Sequence, residues 1–136
     1  MVGINVLLVD DEESFRKTLG KRLGKRGIVV EEAGTGEEAL EKLAAHVPDV
    51  ILLDVKMPGM DGLTALNKIK QKEPLVEVVM LTGHASMEIA IRGMELGAFD
   101  YLMKPVEFEE LLYKLEDAAK RKRHQESRIE ARTQFR

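Results

Sequence analysis

Cysteine is absent from the 136 residues, which excludes a disulfide framework, a thiolate metal site and a cysteine nucleophile. No apolar run approaches the roughly 18 residues of a membrane span, and no basic segment followed by a long apolar stretch opens the chain. These absences predict a cytoplasmic protein with no membrane partner. Gly34–Thr35–Gly36 lacks the spacing of a phosphate-binding P-loop. The histidines His46, His84 and His124 are scattered and share no metal-ligand spacing.

What is present is an ordinary globular composition, 44% hydrophobic and 33% charged, in a length that suits one domain. The net charge of −3 conceals two regimes. Residues 120–136 carry seven Lys and Arg against Glu126 and Glu130, whereas residues 1–119 carry an excess of eight acidic groups. The body, 1–119, therefore lacks the phosphate-neutralising surface that direct nucleic-acid binding needs. The tail, 120–136, reads as a basic helical extension or a linker, because its apolar stripe lapses between Ala119 and Ile129.

Short apolar, β-branched runs alternate with amphipathic stretches. Ile4–Val9, Val50–Leu53 and Val78–Leu81 read as buried parallel strands, Ile28–Val30 as a weaker one and Phe99–Met103 as a fifth. Phe15, Leu19 and Leu23 form a helical stripe closed by Gly27. Thr35 and Glu38 have capping-box spacing ahead of a helix through Leu40, Leu43, Ala44 and Val47. Leu63, Leu66 and Ile69 mark a third helix, and Ser86 caps a fourth through Ile89, Ala90 and Met94. The stripe Phe108, Leu111, Leu112 and Leu115 marks a fifth. Five such alternations predict an α/β, doubly wound five-stranded parallel sheet, order 2-1-3-4-5, of the flavodoxin-like kind.

In such a sheet, ligands sit beyond the carboxyl ends of the strands. The first strand is followed there by Asp10, Asp11 and Glu12, and the third by Asp54. The fourth ends at Thr82, and Lys104 closes the fifth. Any one aspartate reads as a turn or cap residue, as Asp61 does. Taken jointly they need another account. Converging carboxylates repel unless a cation separates them, and Mg²⁺ favours oxygen ligands shared with phosphate. Carboxylates, Mg²⁺, a lysine and a hydroxyl together suit an in-line phosphoryl transfer. Asp54, central and preceded by an apolar strand, is the candidate nucleophile for an aspartyl phosphate.

The segments LLVDDEES (7–14), DVILLDVKMPGMDG (49–62), VVMLTGHAS (78–86) and FDYLMKP (99–105) together resemble the receiver domain of two-component response regulators. The resemblance covers about residues 3–119. It implies that Asp54 accepts the phosphoryl group, that Asp11 and Asp54 ligate Mg²⁺ directly, and that Asp10 holds it mostly through water. The backbone carbonyl of Lys56 completes the protein ligands, and Lys104 contacts the phosphoryl group ahead of a cis bond to Pro105. Thr82 and Tyr101 form the switch, and Lys56 and His84 tune loss of the phosphoryl group. The implied partners are a sensor histidine kinase or phosphotransfer protein and an output domain or partner protein. A homodimer on phosphorylation, through the fourth-strand-to-fifth-helix face or the extended helix, is a further expectation.

GHASMEIAIRGMELGAFDYLMKPVEFEEL is similar, more finely, to receivers of the nitrogen-regulatory class, which precede an ATPase and a DNA-binding domain in sigma-54 activators. No P-loop of such an ATPase occurs here, and the basic tail favours a fragment over a stand-alone receiver. Two other readings compete. A haloacid-dehalogenase-like phosphatase also uses an aspartate after a strand, but it needs an acid two positions on, where this chain has Lys56. A receiver fold used as a phosphate-independent interaction module would not need Asp10, Asp11, Asp54, Thr82 and Lys104 together. The expected activity is limited to the protein's own phosphoryl group, so the chain reads as a switch, not a turnover enzyme.

Overall fold

Strands buried on both faces set the plan of the molecule. A computed structural model describes residues 3–83 and 86–134. In chain order it contains β1 (Asn5–Val9), α1 (Glu13–Lys25), β2 (Val29–Ala33), α2 (Gly36–Ala45) and β3 (Val50–Leu53). These are followed by α3 (Gly62–Lys72), β4 (Glu77–Thr82), α4 (Met87–Glu95), β5 (Asp100–Met103) and α5 (Phe108–Gln134). All strand pairs are parallel and the sheet order is β2-β1-β3-β4-β5, as the alternation predicts.

Successive strand residues feed opposite cores. Val6, Leu8, Val50, Leu52, Val79 and Leu81 pack with Leu19 and Leu23 of α1 and with Leu111 and Leu115 of α5. Leu7, Val9, Ile51, Leu53, Val78 and Met80 pack with Ala39 and Leu43 of α2 and Leu66 and Ile69 of α3. This period-2 division explains why the central strands are continuous apolar runs.

Three predicted elements need correction. The second strand runs to Ala33, through Glu31 and Glu32, which a buried strand would not tolerate. It lies at the sheet edge, where Glu32 pairs with Arg16 at 3.2 Å and Glu31 with His46 at 3.3 Å. Helix α2 stops at Ala45, short of Val47, because the residue before Pro48 is sterically pushed out of the helical region. Of the α4 stripe, Ile89 packs partly buried against the core as expected, but Met94 faces outward, and the one fully buried residue of the helix is Gly93. A Cβ on Gly93 would lie 2.4 Å from the Met80 sulfur, so α4 rests on the sheet through a bare backbone patch.

The caps follow the sequence closely. Thr35, Asp61 and Ser86 each accept a hydrogen bond from the backbone N–H three residues on. Gly27, at φ +86°, ends α1 with its N–H bonded to the Gly24 carbonyl and that of Ile28 to the Leu23 carbonyl, the paired bonds of a Schellman ending. Among the described residues no helix is long and apolar enough to cross a membrane.

Helix α5 continues unbroken past residue 119, and its basic run is held by the body. The carboxylate of Asp49, just before β3, accepts from Arg123 Nη2 at 2.9 Å and from the Asn5 N–H at 2.9 Å, and Lys122 Nζ lies 3.6 Å away. Buried Glu77, at the start of β4, pairs with Arg121 Nε at 3.1 Å. Three of the tail's cations thus pair with two buried carboxylates, and Lys122 also lies 3.3 Å from Glu126.

Burial alone would push the Asp49 carboxyl up, but the Arg123 and Asn5 hydrogen bonds and the Arg123 and Lys122 charges hold it below the usual carboxylate range. Its lowered value contributes stability that is present above the unfolded-state pKa of about 4 and is lost as pH falls through the folded value. Asp49→Asn is expected to cost about 1–3 kcal/mol near neutral pH. In urea titrations that difference from wild type shrinks progressively below about pH 4.

Candidate functional site

The sheet delivers its polar groups to one rim. Asp10 follows β1, Asp54 follows β3 in the centre, Thr82 ends β4, and Lys104 follows β5. Backbone bonds fix them: the Asp54 N–H donates to the Val9 carbonyl at 2.9 Å, and the Lys104 N–H to that of Thr82 at 2.9 Å. Asp10, Asp54 and Thr82 are buried, whereas Asp11 is exposed. One carboxylate oxygen from each of Asp10, Asp11 and Asp54 lies within 4.8 Å of the others.

The positive partner is Lys104. Its Nζ is 2.7 Å from Asp10 Oδ2, 3.5 Å from Glu12 Oε1 and 4.0 Å from Asp54 Oδ2. The outer side of the same ammonium meets the Phe15 ring, 3.9 Å from its centroid. Burial lowers the Lys104 pKa, but the Asp10 hydrogen bond and the charges of Asp10, Asp54 and Glu12 outweigh it and hold the group above its ordinary value. Asp54 shifts the other way. Burial and the Asp10 charge raise its carboxyl above the usual range, against the Thr82 hydrogen bond, the Lys104 charge and the Lys56 N–H.

A cleft of about 420 Å³ opens over these groups, lined by Asp11, Glu12, Asp54, Lys56, Met57 and Lys104 among others. Lys56 donates its N–H to Asp54 Oδ1 at 3.3 Å, and its side chain is exposed. The loop after β3 turns back sharply, since Gly62 lies so close to Val55 that a Cβ would sit 2.4 Å from the Val55 Cα. The Lys104–Pro105 bond is cis, as the resemblance implies. Tyr101, on β5, has a buried hydroxyl with no hydrogen-bond partner within 3.5 Å in good geometry among the described residues. Burial raises its pKa against a partial offset from the Ser86 backbone. His84 lies outside the described residues.

The structure thus brings Asp10, Asp11, Asp54, Lys56, Thr82 and Lys104 together. It also recruits Arg16, which sequence reasoning passed over. Arg16 donates to the Asp10 carbonyl at 2.7 Å and pairs with Glu32 at 3.2 Å, bracing the loop after β1. Glu12 donates its N–H to Asp10 Oδ1 at 2.9 Å. Nothing in a linear pattern reports Arg16, because its role depends on the neighbouring edge strand.

The donor set suits a hard divalent cation: three clustered carboxylates, of which Asp11 and Asp54 line the open cleft, with no histidine or cysteine in the cluster among the described residues.

The sequence pattern of the response regulator receiver domain family matches residues 6–116. The DNA-binding transcriptional regulator NtrC of Escherichia coli (strain K12) is 42% identical over 113 residues, which are 83% of this chain and 24% of that protein. The chain therefore spans about a quarter of the length of that curated relative. A CheY-like response regulator receiver domain protein from Methanospirillum hungatei JF-1 superposes with a TM-score of 0.87 at 31% identity, covering 90% of this chain and 98% of that one. A response regulator protein from Burkholderia pseudomallei, solved with a phosphorylated aspartic acid, a calcium ion and citrate, gives a TM-score of 0.79 at 32% identity. It covers 90% of this chain and 72% of that one.

The raised Asp54 pKa has a consequence for stability. The folded state binds the Asp54 proton more tightly than the unfolded state, so ionised Asp54 weakens the fold at pH values above its folded pKa. In metal-free buffer near neutral pH, Asp54→Asn is expected to melt higher than wild type, with the gap closing below about pH 4. If a divalent cation occupies the carboxylate cluster, added Mg²⁺ is expected to reverse the order, because Asp54→Asn removes one of its three carboxylates. Differential scanning calorimetry with and without Mg²⁺ checks both signs.

Proposed function

Because the chain belongs to the response regulator receiver domain family, a family of signalling modules, we propose that it is a phosphorylation-controlled switch whose acceptor is Asp54. One observation carries the reading. The central carboxylate of Asp54 lies within 4.8 Å of those of Asp10 and Asp11 and 4.0 Å from the Lys104 ammonium, at the mouth of an open cleft. The phosphorylated aspartic acid and calcium ion of the Burkholderia pseudomallei relative support it.

In this reading Asp11 and Asp54 hold Mg²⁺, with the Lys56 carbonyl, and with Asp10 acting mostly through water. The ion supplies charge neutralisation for the carboxylates and the incoming phosphoryl oxygens. An Asp54 oxygen attacks phosphorus of a partner's phosphohistidine, the P–N bond breaks, and its electron pair leaves with the imidazole. Lys104 trades its contact with Asp10 for a phosphoryl oxygen, and the Thr82 hydroxyl donates to another. Hydrolysis later returns the carboxylate and releases inorganic phosphate, at a rate set partly by Lys56 and His84.

The added charge of nearly two units is enough to bias a loop between two arrangements. Thr82, drawn to the phosphoryl group, and Tyr101, whose hydroxyl is buried, form the moving pair. Their motion is read out on the neighbouring face, where Met87, Ile91, Met94, Met103 and Tyr113 are exposed. The partners are a histidine kinase or phosphotransfer protein in the cytoplasm and an output domain, a transcription regulator by likeness to NtrC. Phosphorylation favours a homodimer.

Incubation with acetyl phosphate and Mg²⁺, followed by intact mass measurement, is expected to add one phosphoryl mass. Asp54→Ala and chelation of the metal each abolish it. Unchanged mass under conditions that preserve acyl phosphates would overturn the switch reading in favour of a phosphate-independent interaction module.

A further inference from the structure

Lys104 is enclosed on two sides by different chemistry. Toward the cleft its ammonium faces Asp10, Glu12 and Asp54 at 2.7, 3.5 and 4.0 Å. Behind it stands the face of Phe15, 3.9 Å from ring centroid to Nζ. A lysine ammonium carries three donors on a flexible four-carbon stem and has little intrinsic preference among nearby acceptors. An aromatic face attracts it through the negative side of the ring quadrupole, more strongly when water is largely excluded. Here the Lys104 side chain is only 16% exposed.

The chemistry of that backing group matters. A carboxylate in its place would capture the N–H donors and draw the ammonium out of the cleft. An aliphatic side chain would desolvate the charge with nothing in return. A ring stabilises the cation from behind while leaving its donors aimed forward.

Phe15 is also held in place. It lies in the first turn of α1, packs against the apolar core that contains Leu19 and Leu111, and shares a groove with Lys104 and Pro105. It follows Asp10 by five residues, so one short segment supplies both the carboxylate in front of Lys104 and the ring behind it. By sequence alone Phe15 is merely the first residue of an apolar stripe.

We propose that Phe15 is a positioning residue for phosphoryl transfer, its ring face backing the Lys104 ammonium so that the charge stays directed at the Asp10–Asp54 cleft. The inference rests on the reading of Asp54 as the phosphoryl acceptor. It predicts that uptake depends on the electronic character of the ring and not only on its bulk.

Phe15 is to be replaced by mono-, di- and trifluorinated phenylalanine, which keep the ring's shape while draining negative charge from its face, and by Tyr and Leu. Phosphoryl uptake from acetyl phosphate with Mg²⁺ is followed by intact mass, and folding by thermal melting. Uptake is expected to slow with each fluorine, to stay near wild type in Phe15→Tyr, and to fall roughly 2- to 30-fold in Phe15→Leu. The ring-current shift of the Lys104 side-chain protons in NMR spectra is retained in Phe15→Tyr and lost in Phe15→Leu. Equal rates across folded fluorinated variants would overturn the positioning role while leaving Asp54 as acceptor. Absence of that shift in wild type would overturn the contact itself. Failure of wild type to take up phosphoryl would overturn the acceptor reading, and this inference with it. If Phe15→Leu does not fold, the near-isosteric fluorinated series still decides the question.

Discussion

Carboxylates held within 4.8 Å of one another repel, and much of the site's construction follows from keeping them there. Two of the three are buried at the rim of a parallel sheet, where water does little to screen them. The protein answers with one ammonium, Lys104, closest to Asp10, and with backbone donors from Glu12 and Lys56. The compensation is partial: burial first and the Asp10 charge second keep Asp54 above the usual carboxylate range, while the surrounding carboxylates hold Lys104 above its own. A site balanced this way has an unmet demand for positive charge, and a divalent cation is the natural group to meet it.

The opposite end of the sheet carries the complementary arrangement. There the buried carboxylates of Asp49 and Glu77 are fully matched, by Arg123, Lys122 and Arg121 on one side and by Asn5 and Lys70 on the other. One end is left electrostatically open for chemistry, and the other is closed by a helix that crosses it. The closing helix is α5, whose earlier turns pack against the sheet, chiefly β4, and contribute Leu111 and Leu115 to the core.

Most of the fold was legible because its causes are local. Period-2 burial made β1, β3 and β4 continuous apolar runs, and caps such as Thr35, Asp61 and Ser86 marked helix starts. Apart from the end of α2, which Pro48 sets locally, the misreadings share one origin, a context that lies outside the segment. The second strand reads in sequence as ending at Val30, but partners on neighbouring elements let it run on through Glu31 and Glu32 to Ala33. Met94 looked like a core residue until α4 proved to touch the sheet through Gly93. The basic run 121–123 looked like a solvated charge patch because its partners, Asp49 and Glu77, lie more than forty residues earlier in the chain.

The sequence by itself determined the alternation of strands and helices, the strand order, and the rim on which Asp10, Asp11, Asp54, Thr82 and Lys104 gather. Each of these depends on spacing along the chain and on the rule that ligands meet strand carboxyl ends. Only the tertiary structure decided which of those groups touch. That Lys104 sits on Asp10 at 2.7 Å and not on Asp54, that Phe15 stands behind it, and that Arg16 braces the Asp10 carbonyl are facts of packing. They arise between elements distant in sequence, through interactions that fall off within a few ångströms, and no one-dimensional pattern encodes distances of that size.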